Sequence, residues 1–171
     1  MKSFGRIRRA RRVLPFLPDK QFILGKSVKH LSGLARWQHF DHDADIGVRG
    51  SGATQAEAFE QAALALTAIV TRIDLVEPRQ QIELRVENND PEMLFVDWLD
   101  SLVFEMATRK MLFSRFEIGL SDGKLSARAW GEPVDIERHH PAVEIKGATL
   151  TELKVEKRSC GTWMAQCVVD V

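Results

Sequence analysis

The segment Asp41-His42-Asp43-Ala44-Asp45 packs three carboxylates and an imidazole into five residues, the densest group of chemically able side chains in the sequence. Such charges are not drawn together into a dry core, because each unpaired one would shift its pKa or cost several kcal/mol. In an extended backbone Asp41, Asp43 and Asp45 share one face, and three like charges so close repel unless a cation sits among them. Hard oxygen donors favour Ca²⁺, Mg²⁺ or Mn²⁺ over Zn²⁺. The competing reading is an ordinary polar turn whose Asp side chains bond local N–H groups, and the residue types alone divide evenly between the two. A second acidic spot lies at the other end: Asp170 precedes the last residue, Val171, so a side-chain carboxylate and an α-carboxylate crowd one strand end. Laid beside residues 41–45, that end would offer a hard cation oxygens from both ends of the domain.

These groups need elements to hold them. Trp37 to Phe40 and Ile46 to Ser51 read as short strands around an acidic loop. Gly50-Ser51-Gly52 then breaks the chain, and Thr54 with Glu57 forms a capping-box signature for a helix. Phe59, Ala62, Ala63, Leu66, Ile69 and Val70 recur at helical spacing, which buries one face of it. Ile82, Leu84 and Val86 alternate with polar neighbours as a half-buried strand. Asp90-Pro91 opens a second, longer helix, striped by Leu94, Phe95, Trp98, Leu99, Leu102, Val103 and Met106. Its acids Asp97, Asp100 and Glu105 belong on a solvated face, since buried unpaired acids are rare. Phe116, Ile118 and Leu120 alternate up to an Asp122-Gly123 hairpin turn, and Leu125, Ala127 and Ala129 alternate back. A strand beginning at Val143 and Ile145 continues through Leu153 and Val155, and a last one runs from Trp163 to Val171. The order ββαβαββββ predicts an α+β fold, two helices packed on a mainly antiparallel sheet.

The charge is unevenly spread. Over 171 residues, 24 basic and 24 acidic side chains cancel. Residues 1–36 nevertheless carry ten basic groups against Asp19, or +9, which leaves −9 on residues 37–171. A basic N-terminal extension is thus joined to an acidic domain. The extension reads as a nucleic-acid-binding tail, an Arg-rich transit peptide, or a terminal segment outside the fold. A secretory signal is excluded, because the apolar stretch Val13 to Leu17 is short and interrupted by Pro15. No run approaches the ~18 apolar residues of a membrane helix, so no membrane partner is expected. Cys160 and Cys167 cannot by themselves build a disulfide framework or a zinc site, which makes a reduced, cytoplasmic setting the default. They read as packing residues, and Trp130 and Trp163 as core or interface.

The signature around Asp41–Asp45 resembles the opening motif of the archeases, written D-H-T-A-D-hydrophobic-G. Further segments agree in order: Glu57-Ala58-Phe59 with Ala62-Ala63-Leu64-Ala65, Trp130-Gly131-Glu132, Glu144-Ile145-Lys146-Gly147-Ala148-Thr149, and the ending Ala165 to Val171. Archeases are small α+β proteins, and the resemblance implies a protein cofactor for an RtcB-type GTP-dependent RNA ligase in tRNA splicing and RNA repair. Such a cofactor promotes guanylylation and multiple turnover of the ligase without being an enzyme itself. The resemblance further implies metal ligands at Asp45, Asp170 and Val171, with Asp43 and Asp41 as additional candidates, for a divalent cation such as Ca²⁺, Mn²⁺ or Mg²⁺. It assigns ligase activation to Lys146, with His42 and Glu132. This sequence departs from the pattern in having Asp43 for the customary Thr, Gly147 for Ala, and Leu150-Thr151 for Tyr-His.

Two other classes compete. A metal-dependent phosphohydrolase would use His42 and Asp43 with His139-His140, but needs ligands better placed than a loop and a segment preceding Pro141 provide. A small RNA-binding module would use the basic arm, while the acidic domain, with no Tyr, suits direct RNA contact poorly. RNA is therefore expected as an indirect partner, or one met through the arm.

Overall fold

A computed structural model describes residues 35–171; the expectations placed on residues 1–34 lie outside the described residues. Helix α1 (Gln55–Val70) starts at the capping box: Thr54 Oγ1 accepts from Glu57 N at 3.1 Å, and Glu57 Oε2 accepts from Ala53 N at 2.7 Å. Helix α2 (Pro91–Arg109) has Asp90 as its cap, accepting from the N–H groups of Glu92 and Met93. It ends at Lys110 in the left-handed region.

The strands are β1 (Arg36–His42), β2 (Asp45–Gly52), β3 (Gln80–Glu87), β4 (Met111–Ser121), β5 (Lys124–Pro133), β6 (Gly147–Ala148), β7 (Lys154–Lys157) and β8 (Trp163–Asp170). All their pairings are antiparallel. They form two sheets. One has the order β1-β2-β8-β6, with β7 also paired to β8; the other has the order β3-β5-β4. The fold is α+β, as expected.

The apolar stripes of both helices meet the sheets in one core. Phe59 packs against Phe95 in a tilted pair at 4.9 Å, and Trp98 and Phe116 meet edge to face at 6.1 Å. The small residues of α1 let it lie almost on the β2 backbone. A Cβ at Gly50 would fall 1.9 Å from the Ala58 carbonyl oxygen, so only glycine fits there. This contact fixes the height of β2, and with it the strand that presents Asp45.

Three details depart from the sequence reading. The stretch from Val143 to Val155 is two short strands, and Val143 and Ile145 precede both. Strand β4 starts at Met111, before the alternating residues. A one-turn helix α3 (Ile136–His139) and a 3₁₀ turn (Ile73–Leu75) add to the two long helices. Among the described residues no helix is long and apolar enough to cross a membrane.

Candidate functional site

The expected acidic loop is a tight hairpin. Strands β1 and β2 pair until His42 faces Asp45, leaving only Asp43 and Ala44 to turn the chain. Asp43 takes φ 46°, a conformation that Asp tolerates and a β-branched residue resists. Directly paired residues share a face, so Asp45 lies with His42 and Asp41 with Ile46 on the other side. The single face expected for Asp41, Asp43 and Asp45 therefore does not form, because the turn interrupts the period-two alternation.

The partner of Asp45 comes from the far end of the sequence. In the β2–β8 register Ile46 faces Val169, and one further step sets Asp45 across from Asp170. On the other edge of β8, Gly147 faces Asp170, and Lys146 N donates to Asp170 O at 2.9 Å. The Lys146 ammonium then curls over the strand end. Its Nζ lies 2.8 Å from Val171 O and 3.4 Å from Asp170 Oδ1. Strand β8 thus holds its acidic end between β2 and the Lys146 segment. The Asp170 and Lys146 side chains stay largely open to solvent, at 49% and 65% exposure.

The same face of the hairpin is braced from below. The Phe40 ring lies over Gly47, where a Cβ would come within 2.2 Å of it; Arg49 stacks on Phe40 at 4.9 Å and donates to Gln166 Oε1 at 2.8 Å. His42 is half-buried, and its Nδ1 is a buried atom with no hydrogen-bond partner.

These donors are of the kind that suits a hard cation: the Asp170 and Val171 oxygens meet at one strand end with the Lys146 ammonium on them, and Asp45 lies on the adjoining strand one residue before Ile46, the partner of Val169. Among the described residues no three His, Cys, Asp or Glu side chains converge as a metal-holding group, so a cation here would depend on the Val171 oxygens as well as the two aspartates.

One supporting residue escaped the sequence reading. Asp100 is exposed, as a solvated helix face requires, and it also accepts from Ala148 N at 2.7 Å and so ties α2 to β6. A Cβ at Gly147 would stand 3.2 Å from that carboxylate, so glycine leaves it room. No local pattern announces a partner 48 residues away.

Glu132, which the family resemblance links to ligase activation, lies in the other sheet. It is 2% exposed at the end of β5, bonded to Arg138 at 2.7 and 2.8 Å, to Glu77 N at 2.6 Å and to His139 Nε2 at 3.1 Å. The Arg138 guanidinium, aided by these donors, holds its carboxyl down at a pKa of about 2. Such a buried, paired group ties the 3₁₀ turn and α3 to β5.

His139 is equally committed. Its Nδ1 accepts from Asp135 N at 2.9 Å, which leaves Nε2 to donate to Glu132. With both nitrogens used, it offers no lone pair to a metal, and His42 stands at a strand end rather than in a loop. Cys167 is buried, which pushes its thiol up to about 12, whereas Cys160 is exposed in the turn before β8 and is not a packing residue. Trp130 lies between the guanidinium groups of Arg115 and Arg128, at 4.5 and 5.6 Å.

Comparison with known proteins agrees with this architecture. Residues 37–171 match the family model described as the Archease protein family (MTH1598/TM1083). The chain is 38% identical to the protein named archease of Pyrococcus abyssi over 142 residues, covering 81% of this chain and all of that one. It is 39% identical over the same length to the archease of Thermococcus kodakarensis, with the same coverage. The solution structure of Methanobacterium thermoautotrophicum protein 1598 superposes with a TM-score of 0.70 at 31% identity, over 79% of this chain and 98% of that one. A match spanning every described element from β1 to β8, carried by sequence and by backbone alike, places the chain in the archease protein family.

Proposed function

We propose that this protein is a metal-binding, non-enzymatic cofactor that activates an RtcB-type GTP-dependent RNA ligase in the cytoplasm, promoting its guanylylation and multiple turnover in tRNA splicing and RNA repair. Family membership supports the reading. The single observation that carries it is the end of β8, where the Asp170 and Val171 oxygens meet the exposed Lys146 ammonium beside the strand that begins at Asp45.

In this proposal Asp45, Asp170 and the Val171 carboxyl oxygens hold a divalent cation, Ca²⁺, Mn²⁺ or Mg²⁺, with Asp43 at the adjoining turn as a further donor. Asp41 is set aside, because its strand position faces the other way. When bound, the cation supplies positive charge of the kind that nucleotidyl transfer uses to neutralise phosphate oxygens. Lys146 swings from the Val171 and Asp170 oxygens to a phosphate or a ligase carboxylate, a move its exposure permits. His42 lies opposite Asp45 and positions that carboxylate's strand end. The acidic domain, by its charge, enters a basic cleft and steers away from free RNA.

Asp170→Ala tests the reading. Ligation by a purified RtcB-type ligase is followed under single-turnover and multiple-turnover conditions, with and without this protein. The variant is expected to keep its far-UV spectrum and to lose at least about tenfold of the multiple-turnover stimulation, the scale of one lost charge-stabilising contact. Full stimulation by folded Asp170→Ala overturns the proposal.

A further inference from the structure

Outside this site, an open groove of about 600 Å³ lies between β3 and α2. Its apolar floor is built by Leu84, Val86 and Phe104, and Phe104 is 63% exposed. Carboxylates dominate the rest: Glu83, Glu87, Asp97, Asp100 and Glu105 line it, against Arg85 alone. Lys124 and Arg109 approach only Glu87 and Glu105, from outside the lining. Strand β3 is moreover the edge of its sheet, so every second residue turns its N–H and C=O away from β5 toward the groove side. A long edge strand beside an apolar floor and an acidic rim is suited to an extended, basic segment that adds as a further strand.

The chain contains such a segment. Residues 1–34 carry nine basic side chains against Asp19, interleaved with apolar residues such as Ile7, Val13 and Leu14. The described chain also begins at the right end of the molecule. Arg36 pairs with Ser51, which leads to Gln55 at the start of α1. Gln55 lines a smaller cavity together with Asn88 and Pro91, and Asn88 directly follows Glu87 at the end of β3. From that point 34 residues reach up to ~110 Å when extended, several times the length of the groove.

We infer that the basic N-terminal segment, residues 1–34, docks intramolecularly along the β3–α2 groove, with its cations on the acidic rim and its backbone on the β3 edge. Residues 1–34, at +8, and residues 35–171, at −8, are then mutual partners. The groove adjoins the Asp170 strand end only through Asp100, which bonds Ala148 N, and the inference does not use the ligase reading.

The full-length protein supplies the test. Hydrogen exchange at the β3 amides is compared between the natural chain and a variant with Arg6, Arg8, Arg9, Arg11 and Arg12 all replaced by Gln. Edge amides that serve the docked segment should exchange at least about tenfold more slowly in the natural chain at low salt, and lose that protection in the variant or in 1 M salt. Amides of the inner strand β5 report that the fold is intact. Carbodiimide coupling, which joins a lysine amine to a carboxylate, should link Lys20, Lys26 or Lys29 to Glu83 or Glu87 within monomers. Equal β3 exchange in both proteins overturns the inference. So do links found only between two chains, which would make a second copy the occupant, or links to Asp45 and Asp170 in place of the groove.

Discussion

Glu132 shows how much a single carboxylate can carry when it is enclosed. Its folded pKa of about 2, against 4.5 for a free glutamate, means that its contribution to stability is complete above pH 4.5 and is lost as the pH falls toward 2. Glu132→Gln should therefore cost on the order of 3 kcal/mol at neutral pH and flatten the acid limb of the stability curve. Urea midpoints measured from pH 7 down to pH 2 check this; parallel curves for the two proteins would show that the charge is not the cause. Sequence alone marked Glu132 through the Trp130-Gly131-Glu132 motif, but its partners Glu77, Arg138 and His139 come from two turns with no shared pattern. Asp43 and Gly147 were legible as departures, and their reasons emerge only in three dimensions: a left-handed φ at one, and a carboxylate 3.2 Å from an absent Cβ at the other.

At the scale of elements, the two long helices were readable because their signals are local. A cap, a proline and a stripe of apolar residues all lie within a few turns of one another. Removing the α2 cap by Asp90→Ala should cost about 1 kcal/mol, seen as a lower urea midpoint with an unchanged slope. The contact of α1 with β2 is less forgiving. Gly50→Ala forces a methyl group onto the Ala58 carbonyl, and should lower stability by about 3 kcal/mol or more, because neither backbone can retreat. A Gly50→Ala protein as stable as the natural one would mean that the helix can shift away. Alternation that persists through Leu153 and Val155 makes β6 and β7 look like one strand in the sequence, whereas what divides them is the turn that lets both pair with the same edge of β8.

For the whole molecule, a cation held by Asp45, Asp170 and Val171 would bridge β2 and β8, and with them both ends of the fold. At a hundredfold excess over its dissociation constant, Ca²⁺ or Mn²⁺ should stabilise the native state by about 2.7 kcal/mol and raise Tm by about 5–10 °C. The shift should vanish in Asp170→Ala, while a larger shift with Zn²⁺ would indicate histidine ligands instead. Calorimetric scans with each metal distinguish these outcomes. The sequence by itself determined the α+β class, the helices, the hairpin at Asp122-Gly123, the acidic ends and the lysine near them, since each rests on residues close together in the chain. Only the tertiary structure decided that Asp45 shares its face with His42 and not with Asp41, that Asp170 comes between Asp45 and Lys146, and that Glu132 is withdrawn into its own network. Those outcomes depend on strand register and on pairing between segments more than 100 residues apart, and register is set by side-chain packing across the whole sheet, which no local pattern encodes.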